Sequence, residues 1–187
     1  MNNIIDLFKI PAYEVKLNLD TKNILNYFLS LNLPGRNVSN IGGYQSQDLT
    51  GKHLNINDLF LKIIEHGNIF SKSIDVSENL KISNLWLNIN KHRDLNVEHN
   101  HTGAVISGVY YLKVPKNSGN IIFKHPCNDF MAYAWPNKKI VPNNYSCSQW
   151  FLNSEEDKLI LFPGWLKHQV EPNMSKKDRI SISFNLV

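Results

Sequence analysis

After residue 80 the apolar residues of this chain fall into short runs, several with the two-residue alternation of a half-buried strand. Leu80, Ile82, Trp86, Leu87 and Ile89 form the first run, ending at Asn90. Residues 105–114 and 119–123 follow, joined by Pro115-Lys116-Asn117-Ser118 in the manner of a hairpin. Further short runs occupy 149–152, 158–162 and 178–187. Many short strands without intervening helices exclude a βαβ plan. They predict a mainly β fold, a largely antiparallel sandwich or barrel with any helices packed outside it.

Helical periodicity is confined to the first half. After a short alternating stretch at 13–17, Asp20 is placed to cap a helix whose apolar face is Ile24, Leu25, Tyr27, Phe28 and Leu31, and Pro34-Gly35 ends it. Residues 35–53 are rich in Gly, Asn, Ser and Gln and read as a loop. The Gly42-Gly43 pair is a turn, since it lacks the Lys-Ser and helix start of a phosphate cradle. From Asn57 the residues Leu59, Phe60, Ile63, Ile64 and Phe70 form a second amphipathic stripe, expected to break near Gly67. His66 on this stripe has no partner at ligand spacing and reads as structural, and His92 sits in a charged, solvated turn.

With 187 residues, 42% of them hydrophobic, the chain suffices for one domain with an adequate core. The net charge of +4 comes from scattered lysines without interleaved aromatics, so nucleic-acid binding is not expected. No window approaches the ~18 apolar residues of a spanning helix. Asp6 and Lys9 stand where a signal peptide would be apolar, so a cytoplasmic protein is expected. Cys127 and Cys147 are too few for a disulfide framework and read as free thiols.

The chemistry-bearing residues stand out against this background. In Glu98-His99-Asn100-His101 two histidines lie one residue apart, and on an extended chain residues i and i+2 project to one face. Both imidazoles can therefore address one cation, while Glu98 points the other way. His168, framed by Pro163 and Pro172, offers a third imidazole. Arg179 then opens a strand whose alternate residues Ser181, Ser183 and Asn185 are all polar. Trp86, Asn88 and Asn90 likewise share a face, and polar side chains inside a barrel need partners that a bound polar molecule would supply.

Five segments, Trp86 to Asn90, Asn96 to His101, Ser107 to Leu112, Phe162 to His168 and Arg179 to Asn185, resemble in order the motifs of the double-stranded β-helix (jelly-roll) 2-oxoglutarate/Fe(II) oxygenases, in particular a phage and marine bacterial group. His168 to Pro172 and Tyr110 to Leu112 also resemble strands of prolyl hydroxylases. The resemblance implies one oxygenase domain over 1–187, with 1–79 a helical support region and 80–187 the jelly-roll core. It implies Fe(II) as metal and 2-oxoglutarate as cosubstrate. His99 and His168 match the two histidine ligands, and Arg179 matches the residue that pairs with the 5-carboxylate, a task suited to a planar guanidinium. Ser181, Tyr111 and Asn88 complete the expected cosubstrate site.

One position departs from the usual pattern, because His101 stands where most of these oxygenases have Asp or Glu. Three readings are open there: His101 is a ligand in a three-histidine site, Glu98 swings in, or Gly103 leaves an open position as in halogenase relatives. Strand geometry favours the first. The resemblance implies decarboxylation of 2-oxoglutarate to succinate and CO2 coupled to hydroxylation of a small-molecule or peptide substrate. Residues 125–148 are aperiodic and rich in proline and aromatics, and the loop from Asn128 to Ser148 is expected to cover the mouth of the site. Two rivals are a three-histidine cupin-type dioxygenase that does not use 2-oxoglutarate and a jelly-roll binding module without metal.

Overall fold

The computed structural model describes residues 4–50, 56–76, 79–134 and 143–187. In chain order its elements are β1 (Tyr13–Lys16), α1 (Thr21–Ser30), β2 (Gly35–Arg36), β3 (Asn40–Ile41), β4 (Tyr44–Ser46), α2 (Asn57–Ser73), β5 (Ile82–Asn90), β6 (Leu95–His99), β7 (Ile106–Lys113), β8 (Ile121–Lys124), α3 (Asn128–Ala134), β9 (Gln149–Leu152), β10 (Lys158–Pro163), β11 (His168–Val170) and β12 (Arg179–Leu186). The strands form two antiparallel sheets, of order β1-β10-β7-β12-β5-β4-β2 and β3-β6-β11-β8-β9.

Alternation along the strands divides the molecule. Leu85 and Leu87 of β5, Tyr110 and Leu112 of β7, Leu159 and Leu161 of β10, and Ile180, Ile182 and Phe184 of β12 project outward. There they form one buried cluster with Phe28 of α1 and Leu59, Ile63 and Phe70 of α2. Each such side chain contributes roughly 1.5–3 kcal/mol by leaving water. The intervening residues face the second sheet, where Val109, Tyr111, Ile160 and Phe162 meet Ile121 and Phe123 of β8 in a smaller cluster. Two glycines are required by close approach. A Cβ on Gly108 would lie 2.4 Å from the Phe184 ring, and one on Gly67 would lie 2.4 Å from Leu186 Cδ1.

The Gly67 contact explains why α2 runs unbroken where a break was expected: the missing side chain lets the helix settle onto β12. Asp20 caps α1 as expected, accepting from Asn23 N at 3.1 Å. Residues 35–50 are not a plain loop, because β2, β3 and β4 are recruited by pairing, β4 to β5, β2 to β4 and β3 to β6. Strands of two or three residues carry no readable period. Residues 51–53 of that expected loop lie outside the described residues.

The hairpin expected of β7 and β8 does not form either. β7 pairs with β10 and β12, whereas β8 pairs with β9 and β11 in the other sheet, so the 115–118 connection crosses between sheets. Within 125–148, which read as aperiodic, α3 is a helix of two turns, too short for its period to register. Residues 135–142, with Trp135, Pro136 and Pro142, lie outside the described residues. Among those described, no helix is long and apolar enough to cross a membrane, and Cys127 and Cys147 are free.

Candidate metal and ligand site

His99 ends β6 and faces His168 at the start of β11, the two being directly paired across the smaller sheet. His101 follows β6 in a turn fixed by its own backbone, its N–H donating to Gly164 O at 2.8 Å and its carbonyl accepting from Ala104 N at 3.2 Å. The three rings converge, with centroids 4.4 Å apart for His99 and His168, 5.0 Å for His99 and His101, and 5.1 Å for His101 and His168. One nitrogen from each lies within 4.8 Å of the others, a spacing that suits a single cation.

The tautomers are directed by the backbone. His99 Nδ1 lies 2.7 Å from Val97 O, and His168 Nδ1 lies 2.9 Å from Leu166 O. A carbonyl only accepts, so each Nδ1 carries the proton and each Nε2 lone pair is left free, the second-shell arrangement of metal-binding histidines. Burial, and then repulsion from neighbouring rings, lowers the pKa of His101 to about 4 and that of His168 to about 3. Burial lowers His99 as well. All three are neutral at pH 7, the form that binds a cation. Glu98 is held on the other face of β6 by Lys124 and by Lys167 at 3.8 Å, so it is no part of this cluster.

A cavity between the sheets joins the histidines to the polar inner faces of β5 and β12. Asn88, Tyr111, Arg179 and Ser181 all line it, as do Trp86 and Ser183. Arg179, 1% exposed, donates through Nη1 to the carbonyls of Ser118 and, at 3.2 Å, Glu171. Its Nη2 is buried without a partner, and no carboxylate among the described residues forms an ion pair with it. The Glu171 carboxylate accepts from Asn120 N at 2.9 Å instead. Burial works against the Arg179 charge and is opposed chiefly by Tyr111. An unpartnered guanidinium N–H facing a cavity fits an anionic oxygen supplied from outside, and a 2-oxoglutarate carboxylate is such a group. The donor set of three neutral imidazoles fits Fe(II), though it cancels none of the ion's charge.

The sequence-predicted residues are thus brought to one cavity. Missed were the carbonyls of Ser118 and Glu171 that hold Arg179, which as backbone groups leave no signal in side-chain chemistry. His66 and His92 stand apart, bonded to the Tyr13 hydroxyl at 2.9 Å and to Ser175 O at 3.1 Å.

A family model described as "Putative 2OG-Fe(II) oxygenase" matches residues 84–185, more than half of the chain. No curated protein matches the sequence. Among solved structures, a Pseudomonas putida prolyl-4-hydroxylase is similar with TM-score 0.63 and 11% identity, over 95% of this chain and 92% of that one. A viral collagen prolyl hydroxylase from Paramecium Bursaria Chlorella virus-1, in its 2-oxoglutarate complex, gives 0.60 and 14% over 94% of each chain. HygX from Streptomyces hygroscopicus, with nickel and 2-oxoglutarate bound, gives 0.62 and 8% over 95% of this chain and 82% of that one. At these identities the likeness is one of fold, the double-stranded β-helix.

Proposed function

This chain belongs to the 2OG-Fe(II) oxygenase family, and on that premise we propose that it is a dioxygenase hydroxylating a small-molecule or peptide substrate. In this reading His99, His101 and His168 hold Fe(II), and Arg179, Ser181, Tyr111 and Asn88 hold 2-oxoglutarate. The observation that carries it is the buried Nη2 of Arg179, unpartnered in the same cavity as three converging imidazoles. A three-histidine site that bound its substrate without 2-oxoglutarate would leave that nitrogen unexplained.

Bound together, iron and 2-oxoglutarate supply an oxidation in which O2 is consumed, succinate and CO2 are released and one oxygen atom passes to the substrate. The chain's own part is positioning. The carbonyls of Val97 and Leu166 aim the imidazoles, and low solvent access keeps them deprotonated. Ser118 and Glu171 fix one Arg179 nitrogen so that the other is presented without rearrangement, which preorganises the anion site. Tyr111 is fully buried beside it, its hydroxyl kept protonated by burial and able to donate to the same carboxylate. His99, His101 and His168 bring no carboxylate, so charge balance for a bound divalent ion would have to come from a ligand such as the 2-oxoglutarate dianion.

Titrating 2-oxoglutarate into anaerobic Fe(II) protein and following the visible charge-transfer band tests the pairing of metal and cosubstrate. The band is expected in the parent and absent in His168→Ala, which should no longer retain metal. Full metal occupancy in that variant would remove His168 from the ligand set.

A further inference from the structure

Among the described residues three other buried polar atoms lack partners, Ser118 Oγ beside Arg179 and, farther off, Arg36 Nε and Gln45 Oε1. The last two lie at the edge of the larger sheet, on strands that the sequence gives little reason to notice. Arg36 is directly opposite Gln45, Gln45 opposite Asn88, and Asn88 opposite Ser181. Residues directly opposed across an antiparallel ladder project to the same face. The row therefore runs from the cosubstrate residues Ser181 and Asn88 outward to Gln45 and Arg36, all on the cavity side.

The Arg36 guanidinium carbon lies 5.8 Å from the centroid of the Trp86 ring, and that ring lies 5.8 Å from the ring of His101. A cation packed on an indole is held in place without using its N–H donors. Asp48 feels the charge of Arg36, but its carboxylate is occupied by Leu85 N and Thr50 N, both at 3.0 Å, and by the Thr50 hydroxyl. Among the described residues Arg36 forms no ion pair. Gln45 is 3% exposed, so its unpartnered acceptor carries a desolvation cost that no described residue offsets.

Resting on the reading of the histidine cavity as the site of reaction, we propose that Arg36 and Gln45 bind the substrate to be oxidised, and that this substrate is a carboxylate with an N–H donor beside it, as in an N-acyl amino acid. The unpartnered Nε edge of the guanidinium meets a planar carboxylate, and Gln45 Oε1 accepts the neighbouring N–H. Arg179 and Arg36 then divide the work, one taking the cosubstrate's acid group and the other the substrate's. Arg179 lines the cavity itself, and Arg36 stands beside it against Trp86, one of the lining residues.

N-acetylglycine and its uncharged counterpart N-acetylglycinamide are the probes, followed by ligand-observed NMR on protein loaded with Zn(II) and saturating 2-oxoglutarate, so that Arg179 is already engaged. N-acetylglycine is expected to bind at least tenfold more tightly than the amide. Arg36→Met should remove that preference, Arg36→Lys should keep part of it, and Gln45→Leu should weaken both probes. Undiminished 2-oxoglutarate affinity in Arg36→Met serves as the control for folding. Equal binding of the two probes, binding of neither, or a preference that survives in Arg36→Met overturns the assignment. If the parent takes up no 2-oxoglutarate, the cosubstrate reading fails separately, and the same probes on metal-free Arg179→Met protein decide the role of Arg36 with the same outcomes.

Discussion

The two faces of β12 differ as much as any two parts of the molecule. Outward, Ile180, Ile182, Phe184 and Leu186 are buried in the cluster shared with α1 and α2. Inward, Arg179, Ser181 and Ser183 line the cavity, and Asn185 accepts from the Ser107 hydroxyl at 2.7 Å. One strand thus carries a packing surface and a binding surface, separated by the pleat. The outer face is satisfied by the protein itself, whereas the inner face keeps the Arg179 Nη2 without a partner among the described residues. Substitutions on the two sides should therefore fail in different assays.

The largest effect is expected outward. Phe184 fills the space left by Gly108 and is fully buried, so Phe184→Ala should cost about 3–5 kcal/mol of stability through lost transfer energy and the cavity left behind. Urea unfolding measures the loss, and the fraction still folded should bind 2-oxoglutarate as the parent does. A weakened affinity in that fraction would show that the two faces are coupled.

Inward, Arg179→Ala should weaken 2-oxoglutarate binding well over tenfold, roughly 2–4 kcal/mol, because a charged partner loses its fork while still desolvated. Fe(II) retention should be unchanged, since no imidazole is touched. Anaerobic titration reads both quantities at once. Unchanged affinity would remove Arg179 from the cosubstrate site.

The same contrast decides what the sequence made legible. Where one face is apolar and the other polar, as in β5 and β12, the two-residue period is plain and the strand is readable within two residues of its ends. His99, His101, His168 and Arg179 were readable because they stand at fixed spacings on or beside such strands. β2 to β4 were not, since their strand character comes from pairing, β4 with β5, β3 with β6 and β2 with β4, rather than from their own pattern. Arg36 and Gln45 were lost with them inside a stretch that reads as loop. The 115–118 connection looked like a hairpin because turn chemistry records a change of direction but not which sheet the chain enters next.

A third test concerns pH. The folded pKa values of His101, about 4, and His168, about 3, lie below the ordinary value of 6.5, with burial the main cause. Between 6.5 and those values the unfolded chain takes up protons that the folded, metal-free protein refuses, so stability is retained above 6.5 and lost as pH falls. The slope is at most about 1.4 kcal/mol per pH unit for each proton. Urea midpoints of the metal-free protein should fall from pH 6.5 toward 4, and His101→Gln should flatten that fall. Equal slopes in parent and variant would mean that His101 is not held neutral by the fold.

The smallest effect separates neighbours on β12. Ser181 lies between Ile180 and Ile182, opposite Asn88 and Tyr111, and its hydroxyl makes no hydrogen bond to any described residue. Removing it from the unliganded protein leaves no partner unsatisfied, so Ser181→Ala should change stability by less than about 0.5 kcal/mol. If the hydroxyl donates to a 2-oxoglutarate carboxylate, its loss removes one bond to a charged group, about 1.5 kcal/mol or roughly tenfold in affinity. Ile182→Ala, one residue along, should give the reverse, a loss of about 2–5 kcal/mol in stability with affinity intact. Calorimetry of both variants, in unfolding and in 2-oxoglutarate binding, makes the comparison complete. Equal affinities for Ser181→Ala and the parent would take Ser181 out of the cosubstrate site and leave Arg179 and Tyr111 to hold the carboxylate.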